Sequence, residues 1–424
     1  METYKTLISK TNFFAFLALL AALPYPRPII HFCWLAWSVT WLMEGRFLHR
    51  KNVCTQRAVL YLSIGVGVWL LWNIVSVLWA GDPQASWAAI ERYTSLLAIP
   101  LIGLFGLNER YDWRLCLRVF VLSCVLSVGV YAFAHYWLIN WRMAWDWHAA
   151  EVIPIDWLHM DNLLLSMKHR MHYTNLLCMA FPCMVLLFRR SEWKQVCAFA
   201  CILCAGIWMT GSRLALINLL IVVTVSLYWL FVRPQAKHLR ILGAIGAIVF
   251  IVLGAWSVFS LHPRNESRSI RETMMVQENL REPAAEPRSA IWETALAHPQ
   301  DYLAHGLGAG NATDYLVQRY AENGWDIYYQ KRFSPHNQYL CVCMELGLTA
   351  AILFVLFWLG IPWFFSGTQR YWTVCALGIC LTSMMVDVLL GGLEGIVFVC
   401  VIFLLACALN LPDKSTTDRE VCRD

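Results

Sequence analysis

Twelve apolar stretches recur along the chain, and they decide what it can fold into. They fall at about 13–23, 29–43, 58–80, 87–106, 115–137, 171–188, 194–211, 213–232, 240–261, 346–365, 371–390 and 393–411. A helix needs about 20 apolar residues, in a range of about 17–25, to cross the hydrocarbon of a bilayer. There only helices and closed barrels satisfy their own backbone, and stretches of this length predict helices. Charged residues make up 14% of the chain and apolar residues 59%, whereas a soluble domain carries about 25% charged residues. No single water-soluble core hides that many apolar side chains, so the bilayer is the expected solvent. Twenty-two tryptophans suit two wide interfacial belts, where an indole sits half wet. The expected fold class is an all-α polytopic membrane protein with about twelve transmembrane helices, forming one membrane domain over residues 1–424.

The first stretch is short and follows Lys5 and Lys10, which mimics a signal peptide. Further spans follow at once, so it reads as a retained first helix that stops at Pro24-Tyr25-Pro26-Arg27-Pro28. Basic residues then set the orientation. One set of short loops holds Arg46, Arg50, Lys51 and Arg57, then Arg110, Arg114 and Arg118, then Arg189, Arg190 and Lys194, then Arg233, Lys237 and Arg240, then Arg370. The alternate loops hold far fewer. This predicts a cytoplasmic side for the first set and for both termini. The long polar loops 138–170 and 262–345 then face outward.

Loops this long without structure are uncommon, so the larger one is expected to be a helical cap. Pro287 at a first helical position, apolar Ile291, Ala295 and Leu296, and a stop at Pro299 signal a helix over 287–298. A second is expected over 312–322, and a third from Ser334-Pro335, a capping residue followed by proline.

The net charge of +5 is modest, and the basic residues sit beside apolar spans rather than along a face with interleaved aromatics. That excludes a nucleic-acid partner. The sixteen cysteines lie nearly all within apolar spans, with none in 138–170 or 262–334, and Cys201 and Cys204 read as helix packing rather than a metal or redox site.

Charges in membrane spans are expensive and mark function by default. Glu91, Arg92, Arg213, Asp387 and Glu394 all fall at outer ends of spans, which predicts a polar cavity beneath the cap. In Thr210-Gly211-Ser212-Arg213, Gly211 turns the chain, Ser212 caps the next helix and Arg213 lands in its first turn. An arginine there can simply snorkel to lipid phosphate. Yet a cation meets the positive end of the helix dipole at that position, and a bound anion reconciles the two. Arg288 repeats the arrangement behind Pro287, and the two arginines together suggest a clamp on a diphosphate.

His336, beside Pro335 at an expected helix start, should stay neutral there and accept a proton. With Asn337 next to it, it suits a general base for a hydroxyl. His31, His135, His169 and His172 also lie toward the outer face. Gly306-Leu307-Gly308-Ala309-Gly310 follows no expected strand, so a dinucleotide fingerprint does not apply. It reads as a flexible turn, with an amide nest for an anion as the alternative.

Taken together, the outer loop, the Thr-Gly-Ser-Arg turn, Arg288-Ser289-Ala290-Ile291-Trp292, the glycine run and Pro335-His336-Asn337 resemble the bacterial O-antigen ligase and polymerase superfamily. The resemblance covers about 194–411 in motifs. Within that superfamily the 424-residue chain, without an added C-terminal domain, looks most like the ligases. The resemblance implies a fold related to the C-type membrane glycosyltransferases. It implies transfer of a polysaccharide from undecaprenyl diphosphate to the lipid A–core oligosaccharide, inverting and metal-independent, at the periplasmic face of the bacterial inner membrane. No cofactor is expected, and membrane lipids surround the chain. By motif, Arg213 and Arg288 would hold the diphosphate and His336 would activate the acceptor hydroxyl. Asn337, Ser212 and Arg92 join them as expected substrate-binding residues. No motif carries Glu345, Arg92 or Asp387 over, and these read as cavity lining or structure. The other readings are a polymerase of the same superfamily, a ligase acting on protein, and a non-enzymatic transporter of lipid-linked glycans. The last predicts broken helices near the midplane and inverted repeats, neither of which the sequence shows.

Overall fold

The computed structural model describes residues 2–45, 57–105, 111–145, 169–187, 192–233, 237–261 and 287–409. Residues 146–168 of the first long loop lie outside these, as do 262–286 with Arg264, Arg268 and Arg271, and Arg46, Arg50, Lys51, Arg110, Arg189 and Arg190 of the short loops. Among the described residues the regular structure is helical throughout, with no strand.

Helix occupies each of the twelve apolar stretches. Among the described residues, three helices are long and apolar enough to cross a membrane: Arg57–Trp79, Trp113–Trp137 and Arg213–Val232. Five more are apolar but shorter, among them Trp193–Met209 and Leu393–Ala408. Leu78, Phe133 and Trp256 lie exposed on the outside of the bundle, where a soluble protein would place polar groups. The chain is a helical membrane protein. Every residue from Glu394 to Ala408 is buried, which is what a helix apolar on all sides requires. This helix packs against Arg170–Leu187 and Gly367–Val386 at the centre.

One stretch expected to be continuous is interrupted, and another is entered through a separate helix. The fourth runs as Pro83–Tyr93, a 3-10 turn Thr94–Leu97, and Ala98–Phe105. Pro100 has no N–H for the carbonyl of Leu96, so the ladder fails just ahead of it. The tenth is preceded by a separate helix, Gln338–Leu346, that breaks at Gly347 (φ 87°) before Leu348–Gly360 begins. The expectation of an unbroken helix was therefore wrong for the fourth stretch, whereas the separate helix ahead of the tenth is the third one expected from Ser334-Pro335.

The helices expected in the second long loop form at Pro287–Ala297 and Ala312–Glu322, and a further one spans Asp326–Lys331. Ala290, Ile291, Tyr302, Leu316, Tyr320 and Met344 give this region its own small core. The third expected helix starts later than Ser334. Asn337 is its N-cap, with its Oδ1 accepting from the Leu340 amide at 3.0 Å, and the helix begins at Gln338.

Candidate functional site

His336 sits outside that helix, just ahead of the cap, in a left-handed backbone conformation (φ 46°) that a non-glycine residue rarely adopts. Its neighbours hold it there. The Pro335 carbonyl accepts from Trp292 Nε1 at 2.9 Å, and Asn337 is fixed by its cap. The ring is half-buried, and its Nδ1 lies 3.3 Å from Asp387 Oδ1. With the proton on Nδ1 for this bond, Nε2 is left as the basic nitrogen. The helix N-terminus was expected to set the state of this ring. The group that touches it is a carboxylate.

Asp387 ends the helix Gly367–Val386, just past its last residue. Its Oδ1 also accepts from the Val388 amide at 2.8 Å, and its Oδ2 lies 3.4 Å from His169 Nε2. Burial pushes the carboxyl up, but the His336 hydrogen bond and the two nearby imidazoles outweigh this and hold it at about 2. His169 moves the other way. Burial lowers it, and the opposing pull of Asp387 is the smaller effect. Sequence alone reads Asp387 as lining or structure; the tertiary contact puts its carboxylate on the His336 ring. Its signal was a lone acid at the outer end of a span.

The Thr210–Arg213 turn has the predicted form. Gly211 is left-handed (φ 57°), and Ser212 Oγ accepts from the Ala215 amide at 3.3 Å. Ser212 thus serves as a cap, and Arg213, half-buried, opens the helix Arg213–Leu227. A buried polar network fixes the height of Arg213. Asn218 donates to Asn175 Oδ1 at 3.0 Å, Asn175 donates to Ser383 Oγ at 2.9 Å, and Thr382 Oγ1 donates to Asn218 Oδ1. Arg213 lies five residues before Asn218, Asp387 five after Thr382, and Arg170 five before Asn175. The helix carrying Asp387 runs opposite to the other two, so these three residues lie at one level, about 7 Å above the network at 1.5 Å per residue.

Arg288 is exposed on the first turn of Pro287–Ala297. It is one turn before Trp292, whose indole bonds Pro335, so both project from the helix face that meets the His336 segment. The structure thus gathers His336, Asp387 and His169 by direct contact, Arg213 by helix level and Arg288 by helix face.

Arg92 belongs elsewhere. It is exposed and acts on Glu345, at the far end of the Gln338–Leu346 helix from His336. Glu345 is buried, and burial pushes its carboxyl up to about 7 against the pull of the Gly310 amide, the Cys341 thiol and Arg92. Glu394 pairs with Arg27 Nε at 2.7 Å, joining the starts of two helices, and Glu91 is exposed.

The glycine run is neither a flexible turn nor an anion nest. Its amides already have acceptors: Leu307 N to Met344 O at 2.8 Å, Gly308 N to Glu345 O at 2.9 Å and Ala309 N to Ser76 Oγ at 3.0 Å. Gly306, Gly308 and Gly310 all have positive φ, and a Cβ on Gly306 would lie 2.3 Å from the Glu345 carbonyl oxygen. The run is a close-packed joint between the cap and the interrupted helices. Among the described residues no group of three His, Cys, Asp or Glu is arranged to hold a metal ion.

Fold and site together define a helical membrane protein with a carboxylate-held histidine and two arginines at one end of the bundle. A family model described as O-antigen ligase matches residues 197–355. This supports a member of the O-antigen ligase and polymerase superfamily, the family that the motifs resemble. The matched stretch contains Ser212, Arg213, Arg288, His336 and Asn337, while Arg92, His169 and Asp387 lie outside it. No curated protein matches the chain.

Proposed function

We propose that the protein is an O-antigen ligase, moving a polysaccharide from undecaprenyl diphosphate to the lipid A–core oligosaccharide at the periplasmic face of the inner membrane. The observation that carries this reading is the Nδ1 contact of His336 with Asp387, 3.3 Å long, on a residue held in a strained backbone. A base oriented by a carboxylate suits the activation of a hydroxyl. The core-sugar hydroxyl gives its proton to His336 Nε2. Its oxygen bonds to the anomeric carbon of the donor as the bond from that carbon to the diphosphate oxygen breaks on the opposite face, inverting the centre. The diphosphate leaves with the electron pair. Arg213 and Arg288 bind it and stabilise its growing charge. Asp387 offsets the charge that His336 takes up. The leaving group supplies the driving force, so the proposal requires neither nucleotide nor metal, and a chelator should leave the rate unchanged.

The test uses the full chain in proteoliposomes with a polyprenyl-diphosphate-linked glycan and lipid A–core acceptor. Glycine adopts φ 46° at no steric cost, so His336→Gly should keep the fold and lose transfer, and Arg288→Ala should lose it too. Transfer unchanged in either variant would remove the mechanism. Glycan extended only on the lipid diphosphate, never on the core, would make the protein a polymerase.

A further inference from the structure

We infer that His169 is a positioning residue of this reaction: it holds the second oxygen of Asp387 so that the first stays on Nδ1 of His336. The inference rests on the proposed transfer reaction and adds a group that no motif contains. A carboxylate turns easily about its last torsion, which is broad and roughly two-fold. Donors on one oxygen alone leave that rotation loosely fixed. Asp387 receives the Val388 amide and His336 on Oδ1, and His169 Nε2 lies 3.4 Å from Oδ2. His169 stands at ion-pair distance from that oxygen; drawn onto it as a donor, it holds the second oxygen and so sets the carboxylate plane, and with it the plane of the His336 ring.

The state of His169 fits a donor role. A bond to the carboxylate requires the hydrogen on Nε2. The other nitrogen, Nδ1, is buried and has no hydrogen-bond partner among the described residues. A bare lone pair there costs less than an N–H without an acceptor. Burial favours this neutral ring, with Arg27 and Arg170 adding to the effect and Asp387 and Glu394 opposing it. The main chain of His169 is anchored as well, since its carbonyl accepts from the amide of the fully buried Tyr173 at 3.2 Å. Its side chain is 37% exposed, so it is no core-packing residue; it stands at the edge of the site with the His172 ring 5.3 Å away.

Two variants and two readouts test this. His169→Ala should lower turnover about tenfold, the value of one hydrogen bond to a charged group, with the acceptor KM unchanged. His169→Gln keeps an N–H donor near the Nε2 position and should return turnover to within about threefold of the parent. Independently of transfer, diethylpyrocarbonate should modify His336 more slowly in His169→Ala than in the parent or His169→Gln, read by mass spectrometry of the folded protein. Loss of transfer in the parent chain would defeat the proposed function, and the His336 modification rates would still decide this inference. Alanine behaving as the parent in both readouts, or glutamine as impaired as alanine, would overturn it.

Discussion

At the scale of single residues, the proposed transfer turns on the pairing of His336 with Asp387. Asp387→Asn keeps the size of the side chain but offers a neutral amide where the ring needs an anion. Turnover should fall on the order of a hundred- to ten-thousandfold while donor binding holds, checked by separating kcat from KM. The same carboxyl also affects acid stability. It titrates at about 2 in the fold against 3.8 ordinarily, so its stabilising contribution is whole above about pH 4 and lost as pH falls through about 2. The histidine, the two arginines and the capping serine were legible in the sequence, because each sits in a turn with its own local signature. The role of Asp387 was not, since it depends on a partner 51 residues away.

At the scale of elements, the joint between the glycine run and the Gln338–Leu346 helix carries the cap. Gly306→Ala adds a Cβ against the Glu345 carbonyl at a left-handed position, where neither backbone gives way cheaply. It should cost about 2 kcal/mol or more, seen as a lower melting midpoint in detergent. Glu345, inside the same joint, is held up at about 7 against 4.5 ordinarily. The stability tied to its neutral form is whole below about pH 4.5 and lost as pH rises through about 7. The parent should therefore lose more melting temperature between about pH 5 and about pH 8 than Glu345→Gln does. Equal losses would place the titrating group elsewhere. The glycine spacing was visible in the sequence, but its purpose was misread, because an amide's acceptor is a matter of tertiary packing. The break ahead of Pro100 is encoded by the proline, whose missing N–H outweighs the hydrophobic continuity of the stretch.

At the scale of the molecule, the Asn175–Asn218–Thr382–Ser383 network sets three central helices at one register, with Arg170, Arg213 and Asp387 at their common end. The basic loops predict that this end faces away from the cytoplasm. A reporter fused at residue 300 should therefore behave as periplasmic, and a cytoplasmic signal would reverse the orientation and the proposed site with it.

The sequence by itself determined the helical class, the bilayer as solvent, the cap helices and the turns that present Arg213, Arg288 and His336. These follow from hydrophobic length, proline and glycine positions and capping residues, all of which act within a few residues of chain. Only the tertiary structure decided which polar groups meet. Asp387 takes His336 on one oxygen with His169 3.4 Å from the other, Glu345 is buried within reach of the Arg92 charge, and the glycine run closes on a helix instead of an anion. Those choices depend on the relative height and rotation of helices far apart in the chain, which no local pattern encodes.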